Sequence, residues 1–405
     1  MPYGIAGVGG AELYILGKLR WLKEHDWDVY VLSGGGYTDK AYKIKELDAY
    51  RNQSILVLNR MPYECTKHII KKVIQQMLEN VNSNKHYEET IIESHTASTA
   101  LWGELLAKRL EAKHIVHLIN ESFNDVGYMD KFDFFQFKRD RKEVFGGLHA
   151  FQSLFGKKYK ITQHDVISFG GLQENPVQDI EDSRLDLIQE SDYTICYIGR
   201  VLKPYVPNVI KGVAEFAKSH TEFKIQFVIV GDPTQRINLI RSELLSIPNL
   251  QVILMGDMFP LPRKLFTTLD VVIAGSGSAK CAAYENVPAI VADPDSCLSN
   301  GVLGYDIIKS VGTDSDTKQT TFDEALESVL IREDYKKLPN RLPPQKTVEE
   351  CCENNFIAIN QSSQTYEYYD SEIICKGDAT LKGRVKALLS FYFPKMTIII
   401  KNYKK

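Results

Sequence analysis

The chain has 405 residues, which is too long for one compact core and fits two domains of ordinary size. Hydrophobic residues make up 44% and charged residues 25%, values that exclude wholesale disorder and a multi-span membrane protein. The formal net charge of −3 argues against a general nucleic-acid binder, because such proteins carry a clear basic excess.

Cysteine usage and the absence of apolar runs predict a cytoplasmic protein. The seven cysteines have no regular spacing and form no CxxC pair, which indicates reduced thiols rather than disulfides or zinc ligands. No run of about 18 apolar residues occurs, so no segment is expected to span a bilayer. The first four residues lack a basic region and an apolar core, so we expect no signal peptide.

Strand and helix patterns alternate along the first half of the chain. The predicted helices are 13–25, 65–78 and 100–110, each with apolar residues at helical spacing. The predicted strands are the short apolar runs 29–32, 54–58, 90–92 and 115–119. This alternation predicts βαβ units and a parallel sheet.

The second half repeats the pattern more clearly. The predicted strands are 193–198, 227–230, 252–255, 271–274 and 289–292, and the predicted helices include 209–218 and 279–285. Strands that are apolar on both faces are typical of a parallel sheet covered by helices on each side. The predicted fold class is therefore α/β, with two Rossmann-like domains whose parallel sheets face a central cleft.

A turn-rich segment at 170–177 and an acidic stretch at 178–190 predict a linker between the two domains. We expect an N-terminal domain at 1–180, a C-terminal domain at 181–340 and a C-terminal extension at 341–405. Residues 379–405 contain seven basic residues, no acidic one and several aromatic ones. Two interpretations remain for the extension: it packs back on the N-terminal domain, or 379–405 lies on an anionic membrane surface.

Glycine-rich turns follow several predicted strands or open a helix, and such positions bind anions. Gly9 and Gly10 open the first helix. Gly199-Arg200 follows strand 193–198, where a guanidinium can bind a diphosphate with two parallel hydrogen bonds. Gly231 follows strand 227–230. The alternative for Gly9 and Gly10 is an ordinary structural turn. The alternative for Arg200 is a surface arginine paired with a local acid.

The most informative turn lies between strand 271–274 and the next helix. Hydroxyls and backbone N–H groups at a helix N-terminus there can bind phosphate, although the order of a Walker loop is missing. An ordinary N-cap formed by Ser278 is the alternative. The turn consists of Gly275, Ser276, Gly277, Ser278, Ala279 and Lys280.

The order of these motifs resembles glycosyltransferase family 4. The similarity covers about residues 4–335. It rests on the Gly-Gly-Ala-Glu turn, an Asn-Pro-Val linker, a strand followed by Gly-Arg, a strand followed by Gly-Asp, the Gly/Ser turn and a Val-Pro-Ala-Ile-Val segment. It implies a glycosyltransferase-B fold and a retaining, metal-independent enzyme. It also implies that the first domain binds the acceptor and the second binds a nucleotide-sugar.

The resemblance also implies roles for particular residues. Gly9, Gly10, His95 and Asn120 would lie on the acceptor side, and Arg200 would face the donor diphosphate. The histidine that lines the cleft in the family corresponds to a position near Asn120 in this sequence. Either His117 or Glu121 takes over the role of that histidine, or the role is absent. The implied catalytic residues are thus Arg200, His117 and Glu121, and the implied donor-binding residues are Gly199, Arg200, Lys203, Gly231 and 275–280.

This sequence also departs from the family pattern. Tyr205 or Val206 stands where the family has a lysine, with Lys203 and Lys211 nearest. The paired glutamates are missing, since Cys281 occupies the place of the second. Either Ser276, Ser278 and Lys280 bind the donor in place of the missing family side chains, or donor binding is weak. Most of the first strand of the family is also missing, which implies a truncated start or an altered sheet edge.

One further motif, Asp293-Pro294-Asp295, has the DxD pattern of metal–nucleotide sites in another glycosyltransferase fold. Because it follows a second-domain strand, we interpret it as a loop and expect no metal and no cofactor.

The sequence thus predicts a glycosyltransferase that moves a sugar from a nucleotide-sugar donor to a polysaccharide or lipid-linked acceptor. Bacterial surface glycan or capsule synthesis at the inner face of the cell membrane is the expected setting. Two alternatives remain: a degraded glycosyltransferase-like binding partner, and a sugar-nucleotide epimerase of the same architecture. The sugar, the base, the acceptor and the linkage are not specified.

Overall fold

The structure is a computed structural model that describes residues 1–2, 5, 7, 9–35, 42–81, 85–119, 132–156, 158–163, 165–167, 176–313, 317–362, 366–377 and 379–403. The chain divides into two compact units. The first unit comprises Met1–Glu174 and Lys346–Lys405, and the second comprises Asn175–Gln345. Residues 346–405 of the predicted C-terminal extension therefore belong to the first unit, and 341–345 belong to the second.

The described residues form helices and strands in alternation. The helices are α1 (Gly10–Glu24), α2 (Lys45–Asp48), α3 (Lys67–Asn80), α4 (Ala97–Leu110), α5 (Phe132–Asp140), α6 (Leu148–Phe155), α7 (Val206–Ser219), α8 (Ile237–Leu244), α9 (Arg263–Phe266), α10 (Ser276–Tyr284), α11 (Phe322–Leu326), α12 (Val348–Gln361), α13 (Ser371–Cys375), α14 (Leu381–Tyr392) and α15 (Pro394–Tyr403). The strands are β1 (Ile91–Ser94), β2 (Lys113–Leu118), β3 (Val144–Gly146), β4 (Val166–Ile167), β5 (Val177–Gln178), β6 (Tyr193–Ile198), β7 (Ile225–Val230), β8 (Leu250–Gly256), β9 (Leu261–Pro262), β10 (Val271–Ala274), β11 (Ala289–Ala292) and β12 (Ser299–Val302).

The first unit contains a parallel sheet of four strands in the order β1-β2-β3-β4. Its core is built around Trp102 of α4, whose indole N–H donates to the carbonyl of Arg60 at 2.8 Å. Helix α12 packs on α1, and α13 and α14 pack on the short 3₁₀ segments at Leu56–Asn59 and Pro62–Glu64. The C-terminal helices thus contribute to the packing of the first unit.

Two strand predictions in the first unit are wrong. Residues 54–58 overlap a 3₁₀ turn at Leu56–Asn59, and the amide of Leu58 donates to the carbonyl of Ile55. Residues 29–32 form no strand and pair with no strand among the residues that the structure describes. Both runs have strand-like composition, but a strand also requires a neighbour with which its backbone can pair.

The second unit contains a six-stranded sheet in the order β12-β11-β10-β6-β7-β8, parallel except for β12. Strands β6, β10 and β11 have the predicted bounds, because every residue of their apolar runs except the partly buried Tyr193 is buried. Alternate residues contribute to two separate cores, Ile195 and Phe227 to one, Cys196 and Val228 to the other. The predicted fold class, α/β with two Rossmann-like domains built on parallel sheets, is confirmed.

No helix within the part of the chain that the structure describes is both long and apolar enough to cross a bilayer.

Candidate functional site

The predicted donor-binding residues meet at one edge of the second sheet. Strands β10, β6 and β7 are neighbours and run parallel, so their carboxyl ends lie at the same edge. Gly275, Gly199 and Gly231 directly follow these three strands. We call these three residues the glycine edge. Open α/β sheets bind their ligands outside the carboxyl ends of the strands, which makes this edge the first candidate site.

The glycine edge is built from closely packed backbone. Gly199 and Gly231 have φ values of +152° and +148°, a region that side chains disfavour. A Cβ on Gly231 would lie 2.1 Å from the carbonyl oxygen of Gly199. The amide of Gly231 donates to the carbonyl of Gly256 at 2.8 Å. Only glycine at both positions therefore lets the two strand ends approach this closely.

We expect Gly231→Ala to lower the free energy of unfolding by at least about 2 kcal/mol, because the new methyl group would overlap backbone rather than a movable side chain. Gly256→Ala is the matched control, since Gly256 also has a positive φ of +67° but its Cβ would meet no atom within 4 Å. Urea unfolding of both variants tests this. Equal losses would show that the backbone contact is not tight.

Arg200 lies beside the glycine edge with its side chain exposed. Its carbonyl accepts a hydrogen bond from the Tyr197 hydroxyl at 3.0 Å, which fixes the turn. Among the described residues, the Arg200 guanidinium forms no ion pair, so the alternative of a local acid partner is not realised there. The amide of Lys203 donates to the same carbonyl at 3.0 Å. Arg200 is thus available to bind an anion.

The Gly/Ser turn forms the start of α10. Gly275 is the N-cap residue and has no side-chain cap, and Ser276 is the first helical residue with φ +54°. The Ser278 N-cap alternative is therefore wrong, because Ser278 lies inside the helix. The amide of Ser276 donates to the Ser310 carbonyl at 2.8 Å. The amides of Gly277 and Ser278 lie in the first turn, where N–H groups have no partner within the helix.

Tyr205 and Cys281, which stand in the places of missing family side chains, are committed to packing, and Glu285, which is off register with the family glutamates, is committed to an ion pair. Tyr205 is buried, and its hydroxyl would lie 3.0 Å from a Cβ on Gly275. Burial raises the pKa of the Cys281 thiol to about 12, so it carries no charge at neutral pH. Both carboxylate oxygens of Glu285 accept hydrogen bonds from Arg263. None of the three supplies a free carboxylate or ammonium group at the edge.

The DxD segment is a structured loop. The Asp293 carboxylate accepts hydrogen bonds from the amide and hydroxyl of Ser296 at 3.1 and 2.7 Å and from the Gln319 side chain at 3.1 Å. Asp295 is exposed. Across the described ranges, no group of three His, Cys, Asp or Glu side chains is arranged to hold a metal ion.

A second candidate site lies at the carboxyl ends of β1 and β2 in the first unit. We call it the Glu93 cluster, and it consists of Glu93, His95, His117, Tyr14 and Lys18. The Glu93 carboxylate accepts hydrogen bonds from the Tyr14 hydroxyl at 2.7 Å, from His95 Nε2 at 2.8 Å and from the Lys18 ammonium. His117 Nδ1 lies 2.8 Å from the Tyr14 hydroxyl and 3.6 Å from Glu93.

Burial and charge fix the protonation states of the cluster. Burial raises the pKa of Glu93, but Lys18 and the bonded histidines outweigh it and hold that pKa well below its usual range. Burial lowers the pKa of His95 to about 4, against the opposing effect of its bond to Glu93. Glu93 is therefore ionised and His95 neutral at pH 7, with the His95 proton on Nε2, where it can be donated.

This arrangement leaves one unused acceptor. The Nδ1 atom of His95 is buried and has no hydrogen-bond partner within the described part of the chain. A neutral imidazole held by a carboxylate through one nitrogen presents a lone pair on the other. Because this atom is buried in the structure, a substrate hydroxyl can bond to it only if neighbouring residues move aside.

Protonation should destabilise the first unit in acid. The pKa of a second buried histidine, His114, is also lowered to about 4 by burial. At pH values between 6.5, the ordinary histidine pKa, and about 4, these histidines bind protons in the unfolded chain but not in the folded chain. The free energy of unfolding therefore falls as the pH falls. We expect a lower urea midpoint at pH 5 than at pH 8 and a smaller difference in His95→Asn. Equal midpoints at both pH values would contradict this.

His114 also belongs to an arrangement that resembles a nucleophilic triad. Its Nε2 lies 3.0 Å from the Ser94 hydroxyl, and its Nδ1 lies 2.6 Å from Glu104. The relative exposures of Ser94, His114 and Glu104 are 0, 2 and 1%. Because a substrate cannot reach a hydroxyl buried this deeply, we interpret the arrangement as structural.

The other predicted acceptor-side residues are placed differently. Gly9 is the N-cap of α1 and Gly10 its first residue. A Cβ on Gly9 would lie 2.9 Å from a Glu12 carboxylate oxygen, so a carboxylate of the chain itself lies against this turn. Asn120 and Glu121 lie outside the described residues. Tyr14, Lys18 and Glu93 were not predicted from the sequence, although Glu93 ends an apolar run two residues before His95.

The sequence matches no protein-family model, and no curated protein is similar to it. Solved structures share its fold. One is the Anabaena HepE protein in complex with UDP-glucose, 14% identical, with 96% of this chain and 98% of that chain covered and a TM-score of 0.53. Another is UDP-GlcNAc 2-epimerase from Neisseria meningitidis bound to UDP-GlcNAc, 12% identical, with coverages of 88% and 98% and a TM-score of 0.51. The chain has the glycosyltransferase-B fold of these proteins.

Proposed function

We propose that the chain is a sugar-nucleotide enzyme, specifically a glycosyltransferase that moves a sugar from a nucleotide-sugar donor to a polysaccharide or lipid-linked acceptor. The observation that carries the proposal is Arg200, an exposed arginine beside the glycine edge at the carboxyl ends of parallel strands. The nucleotides bound to HepE and to the Neisseria epimerase, which share the fold, support the same class of ligand.

In this proposal the donor diphosphate lies at the glycine edge. Arg200 and the first-turn amides of α10 (Gly277 and Ser278) neutralise the charge that develops on the leaving diphosphate, which removes the need for a metal ion. Lys203 and Lys280 add positive charge nearby. Glycine at 199 and 231 lets the strand ends pack closely, so that main-chain atoms form the surface that the diphosphate contacts in this proposal.

The acceptor side is assigned to the first unit. In the proposal, a movement of neighbouring residues exposes His95 Nδ1, which then accepts a hydrogen bond from an acceptor hydroxyl, while Glu93 holds the ring through Nε2. His117 positions Tyr14 through the 2.8 Å contact. Gly9, Gly10, Asn120 and the catalytic role of Glu121 stay in the proposal on the family resemblance alone.

Calorimetric titration with UDP, GDP and dTDP tests the proposal directly. We expect one of the three to bind with a stoichiometry of about one, and its sugar conjugates to bind to the same site. Absence of binding by all three would contradict the enzyme proposal and favour the degraded binding partner.

The Glu93 cluster favours a second candidate function, a sugar-nucleotide epimerase. An epimerase moves a proton at the sugar ring, and the cluster contains a neutral histidine with a free lone pair. Incubation with the nucleotide-sugar and no acceptor distinguishes the two. An isomeric nucleotide-sugar product identifies the epimerase, and transfer that requires an acceptor identifies the transferase.

We also propose that α14 and α15 bind the cytoplasmic face of an anionic membrane. Exposed apolar residues recur along α14 at Leu381, Val385, Leu388 and Tyr392, with relative exposures of 80, 45, 39 and 50%. Exposed basic residues flank them at Lys382, Arg384, Lys386 and Lys395. Such a helix lies in the plane of the interface.

This membrane proposal predicts co-sedimentation with vesicles that contain phosphatidylserine, and release by about 0.5 M salt. We expect the double variant Val385→Asp, Leu388→Asp to lose at least about three quarters of the bound protein, because each charge opposes insertion of the apolar face. Leu245→Asp is the control, since Leu245 is 62% exposed in the second unit. Equal binding by both variants would overturn the assignment.

A further inference from the structure

The loop between β7 and α8 contains a further arginine at the carboxyl edge of the second sheet. The loop begins directly after Gly231, and its last residue, Arg236, directly precedes α8. The Asp232 carboxylate accepts hydrogen bonds from the amide and hydroxyl of Thr234 at 3.0 and 2.5 Å. The Arg236 amide donates to the Pro233 carbonyl at 2.9 Å. These bonds hold the loop together without the Arg236 guanidinium.

The Arg236 side chain has an unsatisfied hydrogen-bond donor. Its Nε atom is buried and has no hydrogen-bond partner in the part of the chain that the structure describes. Arg263 of the same unit, in contrast, donates to both carboxylate oxygens of Glu285. A buried donor without a partner costs free energy, because it has lost its hydrogen bonds to water and gained none in return. A ligand that accepts this hydrogen bond would remove the cost.

The position of Arg236 on α8 also disfavours a cation. Arg236 is the N-cap residue of this helix and makes no side-chain cap. The N-terminal end of a helix carries a partial positive charge, and serine, threonine, aspartate and asparagine are its usual N-cap residues. An anion at this end would be attracted both by the helix dipole and by the guanidinium. The loop is therefore suited to an anionic ligand.

The strand order places this loop next to that of Arg200. Strands β8-β7-β6-β10 follow the order 3-2-1-4 of dinucleotide-binding sheets, and the order reverses between β6 and β10. In such sheets the turn after the first strand binds the diphosphate, and a side chain further along the same half binds the ribose. Arg200 follows β6, which is the first strand in this order, and the loop that ends at Arg236 follows its neighbour β7.

We propose that Arg236 binds the donor phosphate next to the nucleoside, while Arg200 binds the phosphate next to the sugar. The inference rests on the proposed function, because it divides the donor diphosphate between two adjacent loops. A guanidinium can bind one phosphate with two parallel hydrogen bonds, so two arginines match the two phosphates of the donor. The loop of Arg236 lies farther from β10 than that of Arg200, which places Arg236 on the nucleoside side.

Three ligands distinguish the two phosphates: a nucleoside, its monophosphate and its diphosphate, with the base that the unchanged chain binds. In Arg236→Met we expect the dissociation constants of the monophosphate and the diphosphate to rise by the same factor of about 10 to 100, because both ligands contain the phosphate next to the nucleoside. In Arg200→Ala, only the diphosphate should bind more weakly. The affinity for the nucleoside should be unchanged in both variants. Calorimetric titration measures each constant.

Urea unfolding without ligand distinguishes a binding role of Arg236 from a structural one. Methionine is also long and unbranched but has no charge and no N–H donor, so Arg236→Met removes the unsatisfied group. We therefore expect a higher urea midpoint for this variant than for the unchanged chain, together with weaker nucleotide binding. Arg241→Met is the matched control, because Arg241 is exposed in the last turn of α8. Its midpoint and its affinity should change little.

Four results would overturn the inference. One is unchanged nucleotide affinity in Arg236→Met. Weaker binding of the diphosphate alone would place Arg236 at the phosphate next to the sugar, and weaker binding of the nucleoside would place it at the base or the ribose. A lower urea midpoint would show that the fold itself uses Arg236.

The same titrations separate this inference from the proposed function. If Arg200→Ala weakens binding of the diphosphate and Arg236→Met does not, the donor site stands and only the role of Arg236 is wrong. If the unchanged chain binds no nucleotide, the proposed function is wrong as well.

Discussion

Replacing Arg200 by alanine is expected to weaken nucleoside diphosphate binding about 10- to 100-fold, because a hydrogen bond to a charged group contributes about 1.5–3 kcal/mol. The Arg200 side chain is exposed, so its loss should leave the fold intact. Calorimetric titration with the nucleotide that binds the unchanged chain measures the effect. Sugar transfer should fall by at least the same factor, because charge on the diphosphate increases as the bond to the sugar breaks.

Arg241→Ala is the matched control for this prediction. Arg241 is also an exposed arginine of the second unit, but it lies in the last turn of α8, which leads to the start of β8 and so to the opposite edge of the sheet. We expect its affinity to be unchanged. If both variants bind equally well, Arg200 does not contact the diphosphate and the glycine edge is not the donor site.

Replacing Glu93 by alanine is expected to lower the free energy of unfolding by about 3 kcal/mol, because it leaves a largely buried charge without its partner. The Lys18 side chain is 12% exposed and pairs with Glu93, which also accepts hydrogen bonds from Tyr14 and His95. Urea unfolding at pH 7.5 measures the loss. Glu79→Ala, at an exposed position on α3, should change stability by less than about 0.5 kcal/mol.

A second variant separates the charge effect from the loss of packing. In Glu93→Ala combined with Lys18→Met, neither charge remains, so we expect the double variant to be more stable than Glu93→Ala alone. A double variant that is less stable than Glu93→Ala would show that Lys18 is stabilised by something other than Glu93. A single variant that loses less than about 1 kcal/mol would show that water solvates the cluster.

The sequence predicted the second unit more accurately than the first. Runs such as Tyr193–Ile198 are buried on both faces, so local composition alone determines their state. The stretches 29–32 and 54–58 have the same composition, but whether they pair depends on distant backbone, which no local pattern records. Strand pairing is thus the part of the fold that the apolar pattern predicted least well.

The two candidate sites show the same contrast. Arg200 and the glycines of the glycine edge lie at the ends of strands. Their position at the edge of the sheet could therefore be predicted from the neighbouring residues in the sequence. The Glu93 cluster joins residues that are far apart, since Tyr14 and Glu93 are separated by 79 positions. Burial determines the charge state of its members, and burial is a property of the packed unit rather than of any segment.

The contact between Gly199 and Gly231 has a consequence for how such a site can diversify. Main-chain atoms form this part of the edge, and a Cβ on Gly231 would overlap the Gly199 carbonyl. Amino-acid exchange therefore cannot reshape it without disturbing the sheet. If the proposed donor site is correct, changes of donor preference arise instead in the side chains that follow these strands, beginning at Arg200, Asp232 and Ser276, while the main-chain surface proposed for the diphosphate stays constant.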